Sequence, residues 1–220
     1  MLFIVSTPIG NLEDITLRAL RILKEADYIA CEDTRMTGQL LVHYDIQNNG
    51  RLLSFHSHSG FSKIEKIIEL LKEWKNIALV SDAGTPGISD PWYILIKKTI
   101  EAGITVTPIP WASAVLSALV ASWLDCHQYL YLWFLPVKKG RQTMLKSLQN
   151  KEYTVVLYES VHRIEKTLKE FEEYFGSNTQ IVVGREITKK FEEFARGNIH
   201  EIREYFKTEG KIKWEFVIVF

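Results

Sequence analysis

The sequence predicts an α/β protein built as two α/β domains, with a mostly parallel sheet in the first and a mixed sheet in the second. Three observations carry this expectation. Short β-branched and aromatic runs alternate with helical stretches through the first half, and that alternation loses its regularity after residue 113. Glycine, proline and small hydroxyl residues gather just behind the strand-like runs.

The elements follow in order. Strand LFIVST (2–7) precedes helix LRALRILKEA (17–26), strand YIACED (28–33), helix MTGQLLVHY (36–44) and strand LLSFH (52–56). Helix FSKIEKIIELLKE (61–73), strand NIALVSD (76–82), helix PWYILIKKTIEA (91–102) and strand ITVTPI (104–109) continue the pattern. Such alternation implies right-handed crossovers and parallel pairing, so a Rossmann-like domain is expected over 1–113. After helix ASAVLSALVAS (112–122), strands 129–136, 153–160, 179–187, 192–197 and 211–219 mix with helices 140–149, 161–175 and 198–206. They make a second α/β domain, 114–220. No low-complexity linker separates the halves, and a ligand cleft between them is expected.

With 220 residues, 46% of them hydrophobic, the chain has enough apolar material for one large core or two modest ones. Lys plus Arg and Asp plus Glu both total 27, so no long-range electrostatic pull on nucleic acid is expected. Any contact with RNA must be local. No apolar stretch approaches the roughly 20 residues of a membrane span, and Met1 leads straight into a strand rather than a signal peptide. A cytoplasmic protein without membrane contact is expected. Cys31 and Cys126 match no metal-ligand spacing and read as reduced structural thiols.

In open α/β sheets, ligands sit beyond the carboxyl ends of the strands. There the sequence reads STPIGNLEDIT, CEDTRMTG, SDAGTPGISDP, PIPWASA and YESVHR. One turn-rich loop would be an ordinary surface feature; four at one sheet edge point to a site. SDAGTPGISDP lets backbone approach a ligand closely, and its Asp90-Pro91 pair suits the start of the next helix. Neither G-x-G-x-x-G after the first strand, nor G-x-x-x-x-G-K-[ST], nor a G-x-S-x-G elbow occurs. Hydride transfer with NAD and P-loop phosphoryl transfer therefore lose ground.

His56 and His58 have half of a metal-site spacing, but no third or fourth ligand is evident, so no metal is expected. EDTR (32–35) and YESVHR (158–163) each set carboxylate beside arginine. Such pairs either fix loops or line a cleft. Basic residues cluster at KKGR (138–141) and TKK (188–190), usually the mark of a solvated face. If RNA is a ligand, Lys138, Lys139, Arg141 and Lys189 are natural phosphate contacts, with Arg35, Arg163 and Arg185 nearer the cleft.

Taken in order from residue 2 to 220, VSTPIGNLEDITLRALRILKEADYIACEDTR, LLSFHSHS, ALVSDAGTPGISDP, PIPWASAV, FLPVKKGR, LYESVHRI and GREITKKFEEFARG closely resemble the bacterial 16S ribosomal RNA cytidine 2′-O-methyltransferases. These belong to the tetrapyrrole methylase-like superfamily. The resemblance implies two domains with S-adenosyl-L-methionine in the cleft between them, a homodimer, and methylation of a cytidine ribose in the decoding region within the small ribosomal subunit. By motif, cofactor contacts fall on Pro8, Thr85, Ile88, Ser113, Ala114, Leu157 and Tyr158.

A ribose hydroxyl is a poor nucleophile until its proton is leaving, so a base is expected. Glu159 is the first candidate, with Glu32 and Asp33 next. Arg163, Arg185 and Lys189 would hold the RNA backbone. Rival readings are a superfamily relative that methylates a small molecule such as a tetrapyrrole, and a catalytically inactive binding protein.

Two departures from the family pattern stand out. The chain ends at EFVIVF, without the small C-terminal extension many relatives carry, which bears on its grip of a ribosomal subunit. The six tryptophans, at 74, 92, 111, 123, 133 and 214, all fall where the pattern reads glycine. One such site suits an aromatic-rich relative; six suggest a codon, most simply UGA, that the source organism reads as glycine. Trp92 and Trp111 are then expected to overpack the pocket.

Overall fold

In the first sheet the three central strands, 2–5, 28–31 and 77–79, are buried on both faces, as a parallel sheet clothed by helices requires. A computed structural model describes residues 1–55, 61–88, 92–110, 112–209 and 215–220. The chain divides into two compact units, Met1–Ser113 and Ala114–Phe220.

Unit 1 contains β1 (Leu2–Val5), α1 (Leu17–Glu25), β2 (Tyr28–Cys31), α2 (Thr34–His43), β3 (Leu52–Ser54), α3 (Phe61–Lys72), β4 (Ile77–Leu79), α4 (Tyr93–Glu101) and β5 (Val106–Ile109). The sheet order is β3-β2-β4-β1-β5 and every pair is parallel. Period-two alternation sends Val5, Ile29 and Ala78 to one core with Ala19, Ile22 and Leu23 of α1. Leu2, Ile4, Ala30 and Leu79 face the other, against Ile64 and Ile67 of α3 and Leu95 of α4. Helix α1 starts where the Thr16 hydroxyl accepts from the Ala19 N–H at 3.0 Å.

Unit 2 contains α5 (Ala114–Val120), β6 (Tyr129–Phe134), α6 (Arg141–Ser147), β7 (Thr154–Glu159), α7 (Ile164–Phe175), β8 (Gln180–Arg185), β9 (Glu193–Asn198), α8 (Ile199–Glu209) and β10 (Phe216–Val219). Its sheet, β6-β7-β10-β8-β9, is mixed: β6 and β7 run parallel, and β10 pairs antiparallel with both β7 and β8. The fold class is therefore as the sequence implies. The strand-like runs read longer than the strands because their polar ends, Ser6-Thr7, Glu32-Asp33 and Ser81-Asp82, leave the sheet as loops. His56, His58, the Asp90-Pro91 cap, Trp111, Trp214 and the start of the last strand-like run lie outside the described residues. Among the described residues, no helix is long and apolar enough to cross a membrane.

Candidate active site

Strands β1 and β4 are neighbours, so the loops leaving their carboxyl ends emerge side by side. Thr7 and Gly84 exchange backbone hydrogen bonds of 2.9 and 3.0 Å, the Ser6 and Thr85 hydroxyls meet at 2.9 Å, and the Thr7 hydroxyl donates to the Ser81 carbonyl at 3.0 Å. The second loop needs its glycines. Gly87 has φ +86°, and a Cβ there would stand 2.9 Å from Ile96 Cδ1. Of the expected cofactor contacts, Pro8 is buried in this stitched edge, Thr85 is half-buried and Ile88 is exposed.

A cavity of about 320 Å³ opens at the same edge of unit 1, between the loop after β1, the face of α2, and Ser81 to Ala83. Glu32 and Asp33 leave β2 close by. Asp33 caps α2, accepting from the Arg35 N–H at 2.8 Å and from the Arg35 guanidinium at 2.6 and 3.1 Å. The Arg35 guanidinium holds the Asp33 carboxyl well below the usual carboxylate range, which makes it a weak proton acceptor. Half-buried Glu32 accepts from Trp92 Nε1 at 3.0 Å. The Asp33 N–H donates to Asp82 Oδ1 at 3.1 Å, so a third carboxylate joins this edge. Sequence reasoning passed over Asp82, although its place directly behind a strand was the available signal.

Unit 2 holds the first candidate base, at the end of β7. Glu159 is fully buried, with Oε1 accepting from the Ser160 N–H at 2.8 Å and Arg163 Nε at 2.7 Å, and Oε2 accepting from the Thr167 hydroxyl at 2.6 Å. Its oxygens are engaged in holding β7 to α7. Arg141 is likewise enclosed: only 4% exposed, it donates to Glu170 at 2.7 Å, the Pro136 carbonyl at 3.2 Å and the Thr167 hydroxyl at 2.7 Å. The Leu157 side chain lies in the unit 2 core, which leaves its backbone for a cofactor contact. Tyr158 is half-buried with its phenol pushed up to about 12 by burial, while Ser113 and Ala114 are half-buried at the start of α5.

Residues 1–203 match the family model for tetrapyrrole (corrin/porphyrin) methylases. The chain belongs to the tetrapyrrole methylase family. Among curated relatives of this methylase, the Halalkalibacterium halodurans protein named ribosomal RNA small subunit methyltransferase I is 45% identical, over 99% of this chain and 74% of the relative. Its namesake in Escherichia coli O157:H7 is 44% identical over 99% of this chain and 76% of its own. The structures of a cobalt precorrin-4 methyltransferase (TM-score 0.71, 19% identity, 99% of this chain and 93% of that one) and of a putative diphthine synthase from Entamoeba histolytica (0.69, 15%, 99% and 91%) share the fold.

The methylase's remaining basic candidates differ in freedom. Lys138 and Lys139 are exposed on the segment after β6. Arg35 is exposed but paired with Asp33; Lys189 meets Glu186 at 3.3 Å; Arg185 pairs with Glu193; and Arg163 is spent on Glu159 and on the Leu135 carbonyl. Among the described residues no group of three or more His, Cys, Asp or Glu could hold a metal ion. Cys31 is buried, which pushes its thiol up to about 11.

Four of the methylase's tryptophans are described, and they divide. Trp74 follows α3 at φ +62°, with its own N–H on the Leu71 carbonyl and the Lys75 N–H on the Leu70 carbonyl, both at 3.1 Å. This is the Schellman ending that favours glycine. After α4 the same pair of bonds closes on Gly103, at φ +71°. Trp123 also stands at φ +62°, and Trp133 lies where the β6–β7 register slips between Leu132 and Phe134. Trp92 instead is 1% exposed and stacked on Phe55 at 4.7 Å. Trp92 thus packs into the core of unit 1.

Trp74→Gly is expected to stabilise unit 1 by about 1 kcal/mol. Left-handed backbone costs a non-glycine residue ~1–2 kcal/mol, offset by ~0.5–1 kcal/mol of glycine entropy. The urea midpoint measures it.

Proposed function

We propose that this tetrapyrrole methylase transfers the methyl group of S-adenosyl-L-methionine to the ribose 2′-hydroxyl of a cytidine in the decoding region of 16S ribosomal RNA. The observation that carries this reading is about 44% identity along nearly the whole chain to proteins named ribosomal RNA small subunit methyltransferase I. The more distant structures share the fold alone, so they do not carry a small-molecule substrate across.

The residues present suit the cofactor. The stitched turn from Gly84 to Ile88 offers close backbone and the Thr85 hydroxyl, as an amino acid and a ribose require, and Gly84 leaves room beside Ile9 and Ala112. When bound, the cofactor supplies an activated methyl on a sulfonium. The chain must then hold the 2′-oxygen in line with that methyl and accept its proton. Of the three carboxylates considered, Asp33 is tied to Arg35 and Glu159 is enclosed. Glu32, half-buried directly behind β2 beside the cavity edge with Trp92 Nε1 donating to it, is the proton acceptor in this reading. Glu32→Gln is expected to lower single-turnover methyl transfer by roughly 10²–10⁴-fold, with cofactor affinity kept.

Lys138 and Lys139 are the RNA-backbone contacts the geometry favours. Replacing both with alanine is expected to weaken subunit binding, and to flatten the slope of log affinity against log salt by roughly 1.4–1.8, the release of two counterions. Arg35, Arg185 and Lys189 already share their charge with a carboxylate, which weakens their pull on phosphate.

Homodimer formation and cytoplasmic action belong to the same reading, and light scattering of the purified protein tests the first. The function itself is tested by labelled methyl transfer to undermethylated small subunits and, in parallel, to deproteinised 16S RNA. Transfer to the subunit is expected; transfer to neither would defeat the proposal.

A further inference from the structure

We propose that the cavity beside β1 and β4 receives the base of the target nucleotide, and that Asp82 selects cytosine over uracil. This rests on the reading above, that the substrate is a cytidine in RNA. The volume, about 320 Å³, lies at the low end of ligand cavities, which suits a nucleoside better than a macrocycle. A base taken out of its stack must be flanked by apolar surface and read along its hydrogen-bonding edge. Pro8, Ile9 and Leu40 supply such surface, and Leu12 and Met36, 39% and 50% exposed, supply more.

The polar atoms facing this space are few. The Thr7 hydroxyl is spent on the Ser81 carbonyl, and the Ser81 hydroxyl on the Ala83 and Gly84 carbonyls at 3.3 and 3.2 Å. Among the described residues that line the cavity, Asp82 is the one ionisable group. Its Oδ1 is fixed by the Asp33 N–H at 3.1 Å, while Oδ2 and the Gln39 amide make no hydrogen bond among the described residues.

These two groups match the edge of cytosine. The carboxylate accepts from the N4 amino group, and the amide N–H of Gln39 donates to O2 or N3. Uracil presents the O4 acceptor where cytosine presents N4, so the same carboxylate repels it. One well-made contact of this kind is worth about 10- to 100-fold in discrimination.

Asp82→Asn is the test. Its amide oxygen can still accept from the Asp33 N–H, while the other atom becomes a donor that suits uracil O4. Small subunits carrying either cytidine or uridine at the target are compared by kcat/KM, and cofactor affinity is followed by calorimetry. Wild type is expected to favour cytidine by about 10- to 100-fold, and the variant to lose at least tenfold of that preference with cofactor affinity unchanged. A preference kept in the variant overturns the proposal. Wild type inactive on both subunits overturns the underlying functional reading instead. As a second variant, Gln39→Leu on the exposed face of α2 is expected to raise KM for the cytidine subunit about tenfold with kcat kept; an unchanged KM counts against the cavity.

Discussion

Glu159→Ala is expected to destabilise unit 2 by about 3–5 kcal/mol, the cost of leaving the largely buried Arg163 guanidinium without its counter-charge. Glu159 is fully buried, and Arg141 and Arg163 are 4% and 20% exposed at the side chain, so water does little to replace the missing carboxylate. Thr167 and the Ser160 N–H lose their acceptor as well. The double variant Glu159→Met/Arg163→Met is expected to recover much of the loss, because apolar groups of similar volume need no counter-charge and Arg141 keeps Glu170. Urea unfolding of the single and double variants measures both. A Glu159→Ala chain that unfolds like wild type, yet transfers no methyl, would return this residue to the role of base.

Trp92→Gly is expected to cost the chain as written about 3–5 kcal/mol, the range for removing a large buried aromatic. The indole lies in a core with Leu79 and Leu95, stacks on Phe55 at an interplanar angle of 24°, and donates to Glu32. The sign is opposite to that expected at Trp74, so the tryptophans are not interchangeable. An unchanged urea midpoint for Trp92→Gly would show that unit 1 closes over the site without the indole. It would also fit a natural chain that carries glycine there. Peptide mass spectrometry of the protein from its own cells reads the residues at 74 and 123 directly; tryptophan at both ends the idea of a reassigned codon.

Much of the fold was legible because it rests on short-range pattern. The apolar runs of β1, β2 and β4 have side chains buried on both faces, and helices α1 and α3 repeat apolar residues at helical spacing. The loops were legible for a related reason: Gly84 and Gly87 mark backbone that few other residues adopt. What could not be read was partnership at a distance. YESVHR shows a glutamate and an arginine four residues apart, but not that Thr167 and Arg141 close around them. Asp82 was hidden in the same way, since its meaning comes from the Asp33 N–H, 49 positions earlier.

The central claim is the identity of the methylated atom. Undermethylated small subunits incubated with the protein and S-adenosyl-L-methionine, then digested to nucleosides and separated by mass spectrometry, are expected to yield 2′-O-methylcytidine from one decoding-region fragment. Label found on a base, on a nucleoside other than cytidine, or only in small molecules added to the same reaction would contradict the account.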